Sequence, residues 1–194
     1  MDDDNFFEDL PIAPVEKTKP APKLTLGKVT KLSGMGFSDN VRLLKIDDFS
    51  LSYFSKPPAD MGTVKSEIEN KNLKPKYSVP VSRIVKVDQL TEDDFKKIKR
   101  QSFQKGTDNF KIEFDKAALV KGSIDPTLEN AEEEAKQGAK TSSKTETWYF
   151  SVSKDEKSGA TITDWLSSIG QIVRTANPNA ILSEQVQTAV KNAA

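Results

Sequence analysis

The chain predicts a mainly β domain of about seven short antiparallel strands closed by a C-terminal capping helix, and three observations carry that expectation. Apolar and polar residues alternate in short runs, most cleanly where Lys111 and Glu113 separate Phe110, Ile112 and Phe114. Loop formers divide such runs at hairpin distance, as Ser33, Gly34, Gly36, Ser38, Asp39 and Asn40 do between 24–32 and 41–46. Near the C-terminus the spacing changes. Trp165, Leu166, Ile169 and Val173 share one face of a helix over 163–173, with Ile162 stapling its entry, despite Gly170.

In chain order, residues 1–22 form an acidic, proline-containing tail with Pro11, Pro14, Pro20 and Pro22 and no sustained periodicity, so disorder is expected. Asp4, Phe6, Phe7, Glu8, Asp9 and Leu10 make an acidic-aromatic patch in that tail, a means of recruiting a protein partner through Phe6 and Phe7. It loosely resembles the double-phenylalanine acidic-tract motif that binds endoplasmic-reticulum membrane receptors, with Asn5 and Asp9 where that motif prefers glutamate and alanine. After the first hairpin, a turn at Asp47 and Asp48 leads into 50–54, where Leu51 and Tyr53 face one side and Ser52 and Phe54 the other. Pro57 and Pro58 stop that strand. Residues 77–87 supply more strand material, and 148–153 the last strand.

Two insertions interrupt this domain, which is expected over 23–176. One lies near 91–105 and contains a short helix over 91–103, in which Thr91 and Asp94 resemble a capping box and Lys97, Lys99 and Arg100 come late, in accord with the helix dipole. The other, near 117–145, includes a polar alanine- and glutamate-rich stretch that reads as a solvated excursion. Asn177 and Pro178 then break the chain, and 177–194 is a C-terminal helix or tail with Leu182, Val186 and Val190 on one face.

Composition narrows the function. Lys and Arg together number 29, as do Asp and Glu, so no global field drives the chain onto a polyanion; nucleic acid is not an expected partner. The chain has no cysteine and no histidine, which removes disulfides, thiolate metal sites, the commonest metal ligand and the usual general base near neutral pH. No enzyme, cofactor or metal is expected. No apolar run approaches the roughly 20 residues that cross a bilayer, and Met1 is followed by Asp2, Asp3 and Asp4 rather than by a basic and apolar leader or a myristoylation glycine. A cytoplasmic protein that meets membranes only peripherally is the expectation.

Residues 27–54 resemble the start of cytohesin-type pleckstrin-homology (PH) domains without a gap. Gly27 and Lys31-Leu32 match the first strand, Arg42-Leu43-Leu44 the second and Leu51-Ser52-Tyr53-Phe54 the third. Val79-Pro80-Val81 resembles the proline-containing fourth strand, and 148–153 with Trp165 the closing strand and helix. The resemblance covers 24–173 apart from the insertions, and it implies a seven-stranded antiparallel β sandwich or barrel plugged by one helix. It also implies a phosphoinositide headgroup site at Lys31, Arg42 and Tyr53, with Lys28 and Asn40 beside them. Adjacent strands can converge cationic donors on a phosphate, which arginine clasps with two parallel hydrogen bonds. Asn40 departs from the family pattern, which has a basic residue there.

Lys96, Lys97, Lys99 and Arg100, with Lys105, form the strongest local basic cluster and would add attraction to an anionic leaflet, about 1 kcal/mol per residue near the surface. Two functions follow as expectations. One is a non-enzymatic PH module that binds phosphoinositide or another anionic lipid as a peripheral membrane adaptor. The alternative uses the same fold, without specific lipid binding, as a protein-interaction module in a cytoskeletal, ciliary or trafficking assembly, with the insertions and the C-terminal helix as contacts.

Overall fold

A computed structural model of the chain describes residues 25–32, 40–55, 66, 68, 73–91, 93, 107–122, 144–153 and 160–193. Among the described residues nine strands form one mixed sheet: β1 (Leu26–Leu32), β2 (Asn40–Ile46), β3 (Ser50–Phe54), β4 (Tyr77–Pro80), β5 (Ile84–Leu90), β6 (Thr107–Asp115), β7 (Val120–Lys121), β8 (Thr145–Ser153) and β9 (Ile181–Leu182). Their order is β7-β4-β3-β2-β1-β8-β6-β5-β9. Every neighbouring pair is antiparallel except β5 and β9, which run parallel. Two helices follow the main strands, α1 (Ile162–Ala176) and α2 (Glu184–Ala193).

Local chemistry accounts for the turns that fix register. Asp47 Oδ1 accepts from the Phe49 and Ser50 backbone N–H groups, an Asx-type turn that joins β2 to β3. Burial alone would raise the Asp47 pKa, but the Lys45 ammonium and those two N–H groups hold it below its ordinary value. At the start of α1, Thr161 Oγ1 accepts from Asp164 N while the Asp164 carboxylate accepts from Thr161 N, a reciprocal cap.

Alternation then sorts the side chains. On the inner face Val29, Leu44, Ile46, Leu51, Val79, Ile84, Val87, Phe110, Ile112, Phe114 and Phe150 join Trp165, Leu166, Ile169, Ile172 and Val173 of α1 in the main core. Trp165 is 0% exposed and fills the space between helix and sheet. The outer face is also partly dry: Leu43 and Phe54 make a second cluster with Leu26, Ile68 and Leu73, so all five β3 residues are buried. Beside it, Ser52 Oγ and Ser78 Oγ lie 2.7 Å apart, and the Ser78 hydroxyl donates a hydrogen bond to the Gly122 carbonyl. Gly122 itself has φ 97°, a left-handed conformation that favours glycine, where the chain leaves β7.

The structure refines one expectation of local detail and corrects three. Residues 77–87 supply strand material as expected, and they do so as two strands, because after Pro80 the chain makes a single 3₁₀ turn at Val81–Arg83 and re-enters the sheet on its far side as β5. Residues 117–122, expected within an insertion, belong to the sheet: Lys116–Ala118 form a 3₁₀ turn and β7 pairs with β4. Ile181 and Leu182 are a strand rather than the start of the last helix, since the β5 edge captures them and Ser183 N donates to Val87 O. That parallel pairing also makes the sheet mixed where a purely antiparallel one was expected. The tail with Phe6 and Phe7 lies outside the described residues, as do Lys96, Lys97, Lys99, Arg100 and Lys105, and, apart from Thr91 and Asp93, the short helix expected over 91–103.

α2 docks on α1 at Gly170. A Cβ at that position would stand 2.7 Å from Val190 Cγ2 and 2.8 Å from Val186 Cγ1, closer than side chains tolerate, with Leu182 Cδ1 at 3.9 Å. The glycine that interrupts the helical pattern of the sequence is therefore the seat of the second helix. Asn177 secures the joint by donating from Nδ2 to Ile84 O at 2.9 Å.

Candidate functional site

Three neighbouring strands bring the sequence-predicted residues together. In the β1–β2 register Lys31 faces Asn40 and Val29 faces Arg42; in β2–β3 Leu44 faces Tyr53. Strand alternation puts Lys31, Asn40, Arg42 and Tyr53 on the inner face, in line with the core residues Val29, Leu44 and Leu51. They stand at the C-terminal ends of β1 and β3 and the N-terminal end of β2, so they line a mouth at one end of the sheet. Lys28 does not belong to it: three residues before Lys31, it falls on the outer face opposite Leu43.

Aromatic rings build the wall of this mouth. Tyr53 is 6% exposed and Trp148 2% exposed, and the two rings meet edge to face at 4.9 Å and 80°. Tyr77, which faces Tyr53 across β3–β4, adds a tilted ring at 5.7 Å. The Lys31 ammonium stands 5.3 Å from the Tyr53 ring centroid and 5.9 Å from that of Trp148, and Lys76 Nζ lies 6.0 Å from Tyr77. These are cation–π distances. Arg42 donates from Nη1 to the Ser55 and Val41 carbonyls, which ties its guanidinium to the strand ends.

Electrostatics follow from this packing. Burial pushes the Tyr53 phenol up to about 12; Tyr77 and Glu146 push the same way and Arg42 opposes them. The mouth therefore offers a neutral hydroxyl between cations at any physiological pH. Glu146 of β8 lies opposite Phe114 of β6, two residues before Trp148 and on the same face, and its carboxylate is near enough to act on the Tyr53 phenol.

Sequence reasoning missed Tyr77, Lys76, Glu146 and the structural part played by Trp148. Alternation in 145–153 does place Glu146, Trp148 and Phe150 on one face, but only the β1–β8 pairing, with Lys31 opposite Phe150, brings that face to Lys31. A concavity of about 370 Å³ lies elsewhere, between α1, α2 and β5. It is lined by Gln89, Thr163, Leu166, Glu184, Thr188 and Asn192 among others, and shares no residue with the mouth. Among the described residues no group of three or more His, Cys, Asp or Glu is placed to hold a metal ion, and no helix is long and apolar enough to cross a membrane. No protein-family model matches the chain, and no curated protein matches it in sequence.

Proposed function

We propose that the chain is a non-enzymatic PH-like module that binds the phosphorylated headgroup of a phosphoinositide, or of another anionic lipid, as a cytoplasmic peripheral membrane adaptor. The observation that carries this reading is the convergence of Lys31, Arg42 and Tyr53, from three successive strands, on one mouth of the sheet. The strand order β4-β3-β2-β1-β8-β6-β5, with α1 against the core, supports the PH-like assignment, because it is the meander such a sandwich requires. β7 and β9 then extend the two edges of that meander.

In the bound state the Lys31 ammonium supplies one charge, Arg42 exchanges its carbonyl partners for a bidentate phosphate contact, and the Tyr53 hydroxyl donates a further hydrogen bond. Binding costs Arg42 its bonds to Ser55 and Val41, so the net gain is smaller than for an unengaged arginine. The same engagement, together with Glu146, favours a second reading, a protein-interaction module in a cytoskeletal, ciliary or trafficking assembly.

Sedimentation with vesicles that contain or lack phosphoinositide, at low and high salt, separates the two. Arg42→Ala is expected to weaken retention about ten- to a hundred-fold, the loss of a charge-assisted pair worth roughly 1.5 to 3 kcal/mol. Asn40→Lys is expected to strengthen it by adding a cation opposite Lys31. Equally negligible retention of wild type and both variants at low salt ends the lipid reading and leaves the protein-interaction module.

A further inference from the structure

Trp148 belongs to the main core, and its ring also reaches the mouth. Its ring is fixed by Phe114 at 4.7 Å and 71° and by Phe150 at 6.3 Å and 88°, and it meets Tyr53 at 4.9 Å and 80°. Tyr53 and Trp148 thus form a rigid corner, and the Lys31 ammonium stands within 6 Å of both ring centroids. At 2% exposure Trp148 offers almost no surface to a ligand. Any part it plays in binding passes through Lys31 and Tyr53.

We propose that Trp148 is a positioning residue of the anion site: with Tyr53 it holds the Lys31 ammonium in the mouth beside Arg42, so that a polyphosphate headgroup meets a cation already in place. The inference rests on the headgroup reading of the mouth. Lysine carries a long, flexible stem, and its ordering normally opposes binding. A cation docked on aromatic faces has lost much of that freedom before the ligand arrives, which is preorganisation.

The test is a double-mutant cycle on the full chain, with Trp148→Phe and Lys31→Met made singly and together. Inositol hexakisphosphate is the calorimetric probe, and a thermal melt of each variant confirms folding. The wild type is expected to show upfield, ring-current-shifted Lys31 ε-methylene protons by NMR, with the shift reduced in Trp148→Phe. Trp148→Phe is expected to weaken probe binding about three- to ten-fold when Lys31 is present and not at all in the Lys31→Met background. Equal weakening in both backgrounds, no weakening in either, or an unshifted Lys31 in the wild type overturns the inference while the headgroup reading stands. A wild type with shifted Lys31 protons that does not bind the probe overturns the headgroup reading and the inference with it. Should Trp148→Phe fail to fold, Trp148→Tyr takes its place in the same cycle.

Discussion

The two regions that fill the inner face of the sheet solve the same problem with opposite chemistry. Over β5 and β6 the space is taken by α1, whose Trp165, Leu166, Ile169 and Val173 are buried among Val87, Phe110 and Ile112. At the mouth no helix of the described residues arrives. Tyr53, Tyr77 and Trp148 close the core there, and Lys31 and Arg42 lie over and beside them. The first region is held by area removed from water and tolerates no charge. The second keeps cations at the boundary of a dry core, where their fields are weakly screened. One strand can serve both regions because alternation and position along it are independent: β1 contributes Val29 to the core and Lys31 to the mouth on the same face.

The comparison breaks most sharply at Trp165. Trp165→Ala is expected to cost about 3 to 5 kcal/mol in denaturant melts, since it removes a fully buried ring and opens a cavity beneath α1. A loss below about 1 kcal/mol would mean that α1 does not hold the core. The next effect belongs to the seat of α2. Gly170→Ala is expected to destabilise the chain by about 1 to 3 kcal/mol, because the stiff Val186 and Val190 side chains must move away from the new methyl. In a chain that stops before Glu184 the same change should be neutral or stabilising by about 1 kcal/mol, as alanine replaces glycine in a helix without a neighbour.

The mouth responds to pH where the helix-covered region does not. The Tyr53 phenol stays protonated in the folded chain up to about pH 12, while in the unfolded chain it ionises near its ordinary value of about 10. Between those values the unfolded state binds fewer protons, so stability falls as pH rises through the window, by about 1 to 2 kcal/mol. Melts at about pH 9 and about pH 11 should show that loss in the wild type and a smaller one in Tyr53→Phe. An equal loss in both would show that the Tyr53 ring is not dry. The smallest effect is at Glu146: Glu146→Gln removes the carboxylate from the mouth and should tighten inositol hexakisphosphate binding about two- to five-fold, with little change in melting temperature. Weaker binding would mean that Glu146 orients a cation rather than opposing the anion.

What the sequence revealed of this fold divides along the line between local and non-local causes. Phe110, Ile112 and Phe114 are legible as a strand because alternation is a property of the strand itself. The α1 helix is legible from its apolar spacing, although only the docked α2 explains why Gly170 is tolerated. Residues 77–87 are legible as strand material, but Val79, Val81, Ile84 and Val87 are all apolar and all buried, so the apolar pattern does not mark the turn between two strands on opposite sides of the sheet. β9 has no signal of its own. Two residues become a strand only because the β5 edge is beside them. In the site, Lys31, Arg42 and Tyr53 were reachable from short hairpins, and counting by twos from Lys31 already separates Lys28. Trp148 and Glu146 lie more than a hundred residues from β1, and only the β1–β8 pairing brings them to the mouth.

The two outermost strands have a further consequence. Open sheets invite a stranger's backbone along their edges, and the invitation grows with the length of exposed ladder. This sheet ends in Val120–Lys121 on one side and Ile181–Leu182 on the other, two residues each. A visiting strand could form only a short register along β7 or β9 before meeting Gly122 or the start of α2. The apolar Val120 and Ile181 remain on the surface at 40% and 63% exposure, but as isolated side chains at points where the backbone offers little to copy. Among the described residues the sheet thus ends on two-residue strands, which leave little ladder for a further strand to extend.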